Sequence, residues 1–112
     1  MLNVTPHEIC IRLPDGTEKT FPPLGQVARV GTIESELPAL DGIPVILRDF
    51  GAVQLPEAVY ENAAPFLVSS LVLEAAKQQN HPDLGRMYAP DTGPTAIREG
   101  GQVKAVTRLV RA

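Results

Sequence analysis

Apolar and polar residues alternate strictly near the start of the chain, in the stretch "EICIRL" (residues 8–13). Positions 9, 11 and 13 are apolar and fall on one side of an extended chain, which predicts a half-buried strand. The following "LPDGTE" places Pro at the second and Gly at the fourth turn position, and so predicts a hairpin turn into "EKTF". "VARVGTI" predicts a third strand, "ESELPALDG" a polar loop, and the continuous apolar run "IPVILR" a central strand.

A strand followed by a helix is predicted in "PFLVSSLVLEAAKQQNHPDLG". Residues 66–68 form a short apolar run, Ser69 or Ser70 is a typical helix N-cap, and Pro82 lies beyond the predicted end. We therefore expect a helix over residues 70–79. Its predicted apolar stripe consists of Leu71, Val72, Ala75, Ala76 and Gln79.

The last third of the chain predicts one more parallel strand and a closing hairpin. "GRMYAP" is expected to run parallel to residues 66–68, and "DTG" follows its carboxyl end. "TAIRE" and "QVKAVTRLVR" flank Gly100-Gly101, which is a hairpin signal. The stretch from 49 to 64 is compatible with either a short hairpin or an extended segment. The predicted fold is α+β, with a mixed, mostly antiparallel sheet and one clear helix, in a single domain spanning residues 1–112.

Composition and charge narrow the function classes. A net charge of −3 over 112 residues argues against general nucleic-acid binding. The sequence has no long apolar run and no signal-peptide pattern, so we expect a cytoplasmic protein that does not associate with membranes. Cys10 is a single cysteine, and neither His7 nor His81 has metal-ligand spacing, so we expect no metal and no cofactor. Four basic residues close the chain, on either a solvated or an anion-facing strand: Arg98, Lys104, Arg108 and Arg111.

Two polar clusters fall at the carboxyl ends of the two predicted parallel strands, where ligands bind in open α/β sheets. The first is Ser69-Ser70, at a helix N-terminus that favours anions. The second comprises Asp91, Thr92 and Thr95. If the strands are neighbours, both clusters face one crevice. The alternative is that Ser70 only caps the helix and Asp91 only makes an Asx-turn.

The opening "NVTPHE" supplies a third set of polar side chains, Asn3, Thr5 and His7. A histidine here can serve as a base or ligand, although an exposed turn histidine is the commoner case. The "DTG" triplet also occurs in aspartic proteases, which need two such aspartates. Pro90 and Pro94 bracket the triplet here, and no nucleotide-loop, serine-hydrolase or zinc-protease motif is present, so an enzyme is disfavoured.

These same segments resemble a family of small proteins of tailed phages and prophages. The likeness rests on "NVTPHEI", on Leu67-Val68-Ser69 and on "PDTGP" followed by Arg98, Gly101 and Val103. It implies a phage or prophage origin and no particular activity. A more distant resemblance, in the opening segment and in the strand, hydroxyl residue and helix, is to the anti-Thoeris sponge proteins of phages. That family sequesters cyclic ADP-ribose signals between subunits, so the resemblance implies ligand binding by a homodimer.

We therefore expect a small, non-enzymatic, phage- or prophage-encoded protein that binds a nucleotide-like ligand as a homodimer. Two alternatives stay open: a structural or interaction protein without a small ligand, and a nucleotide hydrolase with His7 as base and Asp91 as orienting group. The predicted ligand-binding residues are Asn3, Thr5, His7, Ser69, Ser70, Asp91, Thr92, Thr95 and Arg98.

Overall fold

Ten strands and one α-helix are formed by the residues that the computed structural model describes, which are residues 1–61 and 63–112. The helix is α1 (Ser70–Gln78), and 3₁₀ turns cover Glu57–Tyr60 and Leu84–Arg86. The strands are β1 (Leu2–Asn3), β2 (Ile9–Arg12), β3 (Glu18–Phe21), β4 (Arg29–Leu40), β5 (Ile43–Gln54), β6 (Phe66–Leu67), β7 (Met87–Pro90), β8 (Ile97–Glu99), β9 (Gln102–Ala105) and β10 (Leu109–Val110). The predicted α+β class, mostly antiparallel, is confirmed.

A four-stranded sheet in the order β1-β6-β7-β10 forms the centre of the molecule. β6 runs parallel to β1 and to β7, as predicted for the second pair, and β10 is antiparallel to β7. Side chains alternate across this sheet because successive strand residues face opposite sides. Phe66 and Met87 pack with α1 in one core cluster, whereas Leu67 packs with Ile9 and Ile11 of β2 in the other.

Helix α1 begins where the sequence predicts. The Oγ of Ser69 accepts a hydrogen bond from the backbone N–H of Val72 at 3.2 Å and so caps the helix. The predicted stripe is wrong at two positions: Leu71 is 55% exposed and Gln79 is exposed at the C-cap, whereas Leu73, which was not in the stripe, is 7% exposed. The helix thus buries residues 72, 73, 75 and 76 against the sheet.

Two short hairpins are confirmed. β2 and β3 pair antiparallel, and the turn between them is held by the backbone N–H of Thr17 donating to Oδ1 of Asp15 at 3.0 Å. β8 and β9 pair antiparallel through Gly100 and Gly101, whose φ angles of 61° and 82° suit glycine. β2 also meets the end of β9, since the N–H of Val106 donates to the carbonyl of Cys10 at 2.9 Å.

Residues 43–48 form a strand as predicted, but two other predictions for residues 34–48 are wrong. "ESELPALDG" is not a loop, because most of it continues β4. "IPVILR" is not central, because β5 pairs with β4 and with no other strand of the described residues, in a long hairpin (residues 29–54). The two-residue turn at Asp41-Gly42, with φ angles of 49° and 77°, matches an Asp-Gly hairpin. The stretch from 49 to 64 continues β5 and then forms the 3₁₀ turn at Glu57–Tyr60; position 62 lies outside the described residues.

Candidate functional site

A cavity of about 510 Å³ opens between the N-terminal loop, the start of α1, the end of β7 and β9. Its size falls within the range of roughly 300–1,000 Å³ that is usual for small-molecule sites. The three chain segments that the sequence predicts for the site meet here: the N-terminal loop, the start of α1 and the segment after β7. The predicted residues that line the cavity are Thr5, His7, Ser69, Ser70 and Thr92.

Asn3 does not line the cavity but shapes the loop that does. Its side chain is 2% exposed, and its Nδ2 donates to the carbonyls of His7 at 2.8 Å and Phe21 at 2.9 Å. Its Oδ1 accepts from the backbone N–H of Thr5 at 3.0 Å and from the Thr5 hydroxyl at 2.6 Å. Asn3 therefore folds residues 3–7 into a tight loop and leaves His7 exposed at the cavity wall.

The N-terminal end of α1 contributes the two serines. Ser69 is half-buried and its hydroxyl oxygen is used as the helix cap, whereas Ser70 is exposed. Backbone N–H groups in the first turn of a helix have no partner within that helix, and the helix dipole makes this end positive. This wall of the cavity is therefore the one best suited to an anionic or hydroxyl-bearing group.

Asp91 holds its own loop. Its Oδ1 accepts from the backbone N–H of Gly93 at 3.0 Å, and its Oδ2 accepts from Nε of Arg108. The bond from Arg108, and after it the Gly93 N–H, hold the pKa of the Asp91 carboxyl below its ordinary value. The carboxylate is thus an Asx-turn acceptor joined to a cation, and the lining residues are its neighbours Pro90 and Thr92.

The structure places Thr95 and Arg98 beside the cavity wall and not in it. The Nη2 of Arg98 donates to the carbonyl of Thr92 at 2.6 Å, and the hydroxyl of Thr107 donates to the carbonyl of Thr95 at 3.3 Å. The first bond closes the segment from Thr92 to Arg98. The second attaches that segment to Thr107, two residues after β9. In this group of predicted residues, Thr92 alone faces the cavity.

Several lining residues were not predicted. Cys10 comes from β2, and Val103 and Lys104 come from β9. Lys104 is exposed and donates from Nζ to Oε2 of Glu99 at 2.7 Å, so it brings a cation to the rim. The sequence did place Lys104 in a basic C-terminal group that could face an anion. It could not show that β9 lies beside β2, because that depends on tertiary contacts.

The hydrolase hypothesis pairs His7 with Asp91, but the Asp91 oxygens are bonded to Gly93 and Arg108. Elsewhere His81 accepts at Nδ1 from the backbone N–H of Asp83 at 3.0 Å, as part of the loop after α1. Within residues 1–61 and 63–112, no three His, Cys, Asp or Glu side chains are grouped to hold a metal ion. No helix in that same part of the chain has the length and apolarity needed to span a membrane.

Comparison of the chain with protein-family models, with curated proteins and with solved structures finds no match in any of the three.

Proposed function

We propose that this protein binds a small nucleotide-like ligand in the cavity between the N-terminal loop, α1 and β9, without transforming it. The observation that carries the proposal is the convergence of His7, Ser70 and Thr92 on one cavity of about 510 Å³. These residues lie in three separate parts of the chain. Small-molecule binding sites are usually cavities of this size.

The lining suits a ligand with one flat apolar part and one polar part. Pro6, Ile9 and Val106 give an apolar wall on which a base can lie. Facing polar groups come from the His7 ring, the Ser70 hydroxyl and the Thr92 hydroxyl, which can bond ribose hydroxyls or phosphate oxygens. The positive end of the α1 dipole favours the phosphate.

Charge around the cavity is small and of both signs. Lys104 is exposed at the rim and Glu8 lies on the N-terminal loop. A highly charged polyphosphate would need more cations than this, since each phosphate is commonly held by Lys or Arg. We therefore favour a ligand with one or two phosphates, such as a cyclic or monophosphate nucleotide.

Isothermal titration calorimetry against a panel of cyclic and linear adenine and guanine nucleotides tests the proposal. We expect at least one nucleotide to bind with a dissociation constant in the micromolar range, about 1–100 μM. Lys104→Ala should weaken that binding by about fivefold or more, because it removes the rim cation. Lys77→Ala, on the last turn of α1 and outside the cavity, is the matched control and should not change it. Absence of heat with every nucleotide at about 100 μM protein would refute the proposal.

A further inference from the structure

The long hairpin (residues 29–54) extends away from the rest of the chain. The radius of gyration is 16.8 Å, whereas about 13 Å is usual for a chain of this length. At its base Val30 and Val53 pack against the core, and Nε2 of Gln79 donates to the carbonyl of Gly51 at 2.6 Å. Beyond the base, residues 31–44 are all exposed.

One face of the hairpin, its inner face, continues from the core. Residues directly opposite each other in an antiparallel pair share a face. The inner-face pairs are Val30–Val53, Thr32–Phe50, Glu34–Arg48 and Glu36–Ile46. The middle of this face carries an ion pair, in which Nη2 of Arg48 lies 2.8 Å from Oε2 of Glu34, and the next pair toward the tip joins Glu36 to the exposed Ile46.

The other face, the outer face, is almost entirely aliphatic. Beyond the polar pair Arg29–Gln54 at the base, its pairs are Ile33–Asp49, Ser35–Leu47, Leu37–Val45 and Leu40–Ile43. Val45 is half-buried, and the other five aliphatic side chains are between 45% and 66% exposed. Because side chains alternate between the faces of a strand, this surface points away from the side that packs on the core.

An uncovered face of this kind is unfavourable in water. Contiguous exposed apolar patches mark interaction sites in soluble proteins. A two-stranded hairpin is also marginally stable unless a third strand or another layer covers it. The alternation of the Glu34–Arg48 face with an aliphatic face is the pattern of a sheet that has one face in solvent and one face buried.

We propose that a second copy of this chain covers the outer face, by packing hairpin against hairpin about a two-fold axis. The outer face suits itself as a partner, since six of its eight residues from Ile33 to the tip are aliphatic. Two strands of 12 residues are about 40 Å long and together about 10 Å wide, so two facing hairpins cover about 800 Å² in total. That is less than the roughly 1,000 Å² of a stable interface, so the dimer should be weak, with a dissociation constant of about 1–100 μM.

The position of Asp49 selects the direction of packing. Asp49 lies near the base of the hairpin, and Arg29, the other charged residue of this face, lies at the base itself. If the hairpins ran in the same direction, the two Asp49 carboxylates would meet across the interface, at a cost from like-charge repulsion. If they run in opposite directions, each Asp49 lies at an end of the interface beside the partner's tip, where water solvates it. We therefore expect the two hairpins to run in opposite directions, with the base of each beside the tip of the other.

Sedimentation equilibrium of the full chain over a concentration series tests the proposal, and does so independently of any ligand. The wild type should approach twice the monomer mass. Leu47→Glu puts a charge in the middle of the outer face and should raise the dimer dissociation constant at least about tenfold. Ile46→Glu is the matched control: Ile46 is the next residue of β5, is similarly exposed, and lies on the inner face, so the dimer should persist.

Leu37→Glu changes the same outer face from β4 and should act like Leu47→Glu. Circular dichroism of each variant shows that the fold is kept, since these side chains are exposed in the monomer. A wild type that stays monomeric up to about 100 μM would overturn the proposal. Equal effects of Leu47→Glu and Ile46→Glu would also overturn it, because the dimer would then use another surface, such as the strand edges.

Discussion

The guanidinium of Arg108 donates from Nε to Oδ2 of Asp91, and the backbone N–H of Asp91 donates to the carbonyl of Arg108 at 3.1 Å. These contacts join the end of β7 to the residue that precedes β10. The Asp91 side chain is 16% exposed, while that of Arg108 is 62% exposed. This residue pair, together with the bond from Arg98 to the Thr92 carbonyl, holds the loop that carries Thr92 to the cavity.

Asp91 should make stability dependent on pH in the acid range. Its folded-state pKa is lowered, first by Arg108 and then by the Gly93 N–H, so the carboxylate stabilises the fold above the unfolded-state pKa. This contribution is lost as pH falls below about 4 and through the folded-state pKa. Asp91→Asn keeps the acceptor for Gly93 but removes the charge, so its thermal midpoint should fall less than that of the wild type between about pH 7 and about pH 2.

Thermal unfolding followed by circular dichroism at a series of pH values measures this difference. Glu36→Gln removes one carboxylate at an exposed position of β4 and serves as the control. Parallel pH profiles for the wild type and Asp91→Asn, with both falling equally in acid, would show that the Asp91 contacts are not coupled to folding.

The face of α1 that packs on the sheet gives a second prediction. Leu73→Ala should lower the free energy of unfolding by about 2–5 kcal/mol, because it removes a buried side chain and leaves a cavity. Leu71→Ala makes the same chemical change two residues earlier, where the side chain is 55% exposed, and should cost about 0.5 kcal/mol or less. Urea denaturation of both variants compares them. Similar losses for the two would contradict the burial of Leu73 and the exposure of Leu71 on α1.

Local chemistry explains which parts of the fold were predictable. The turn at Asp15-Gly16 and the pair Gly100-Gly101 determine their hairpins through a few neighbouring residues, and the cap at Ser69 fixes the helix start. The long hairpin was missed because an unbroken apolar run is typical of a strand buried on both faces. The Asp41-Gly42 turn was the local signal that pointed to a hairpin instead.

The candidate site was predictable to the level of segments. The loop at His7, the serines at the start of α1 and the segment after β7 do meet. Individual roles depended on tertiary contacts: the sequence cannot show that Arg108 would pair with Asp91, or that β9 would bring Lys104 to the same cavity. Hydrogen-bond partners that are 17 residues apart in the chain are set by the packing of the whole sheet.

The N-terminal loop gives a third prediction, through Asn3. In Asn3→Asp an oxygen stands where Nδ2 donates to the carbonyls of His7 and Phe21. Both hydrogen bonds are lost, and the carboxylate oxygen repels the two carbonyl oxygens. Leaving buried polar groups unsatisfied costs about 1–3 kcal/mol each, so the free energy of unfolding should fall by at least about 1 kcal/mol. Gln26→Glu makes the same amide-to-carboxylate change at an exposed loop position and should have little effect. Chemical denaturation that gives equal stability for Asn3→Asp and the wild type would contradict this role.

Filling the cavity gives the last prediction. Val103 is 39% exposed and lines the cavity, so Val103→Trp should place a large ring where the ligand would lie. Exposed positions tolerate such changes, and the free energy of unfolding should alter by no more than about 0.5 kcal/mol. Val110→Trp adds the same ring on β10, where Val110 is 43% exposed and does not line the cavity. Calorimetry with the nucleotide that the wild type binds best should show binding lost in Val103→Trp and kept in Val110→Trp. Unchanged affinity in Val103→Trp would place the nucleotide elsewhere on the protein.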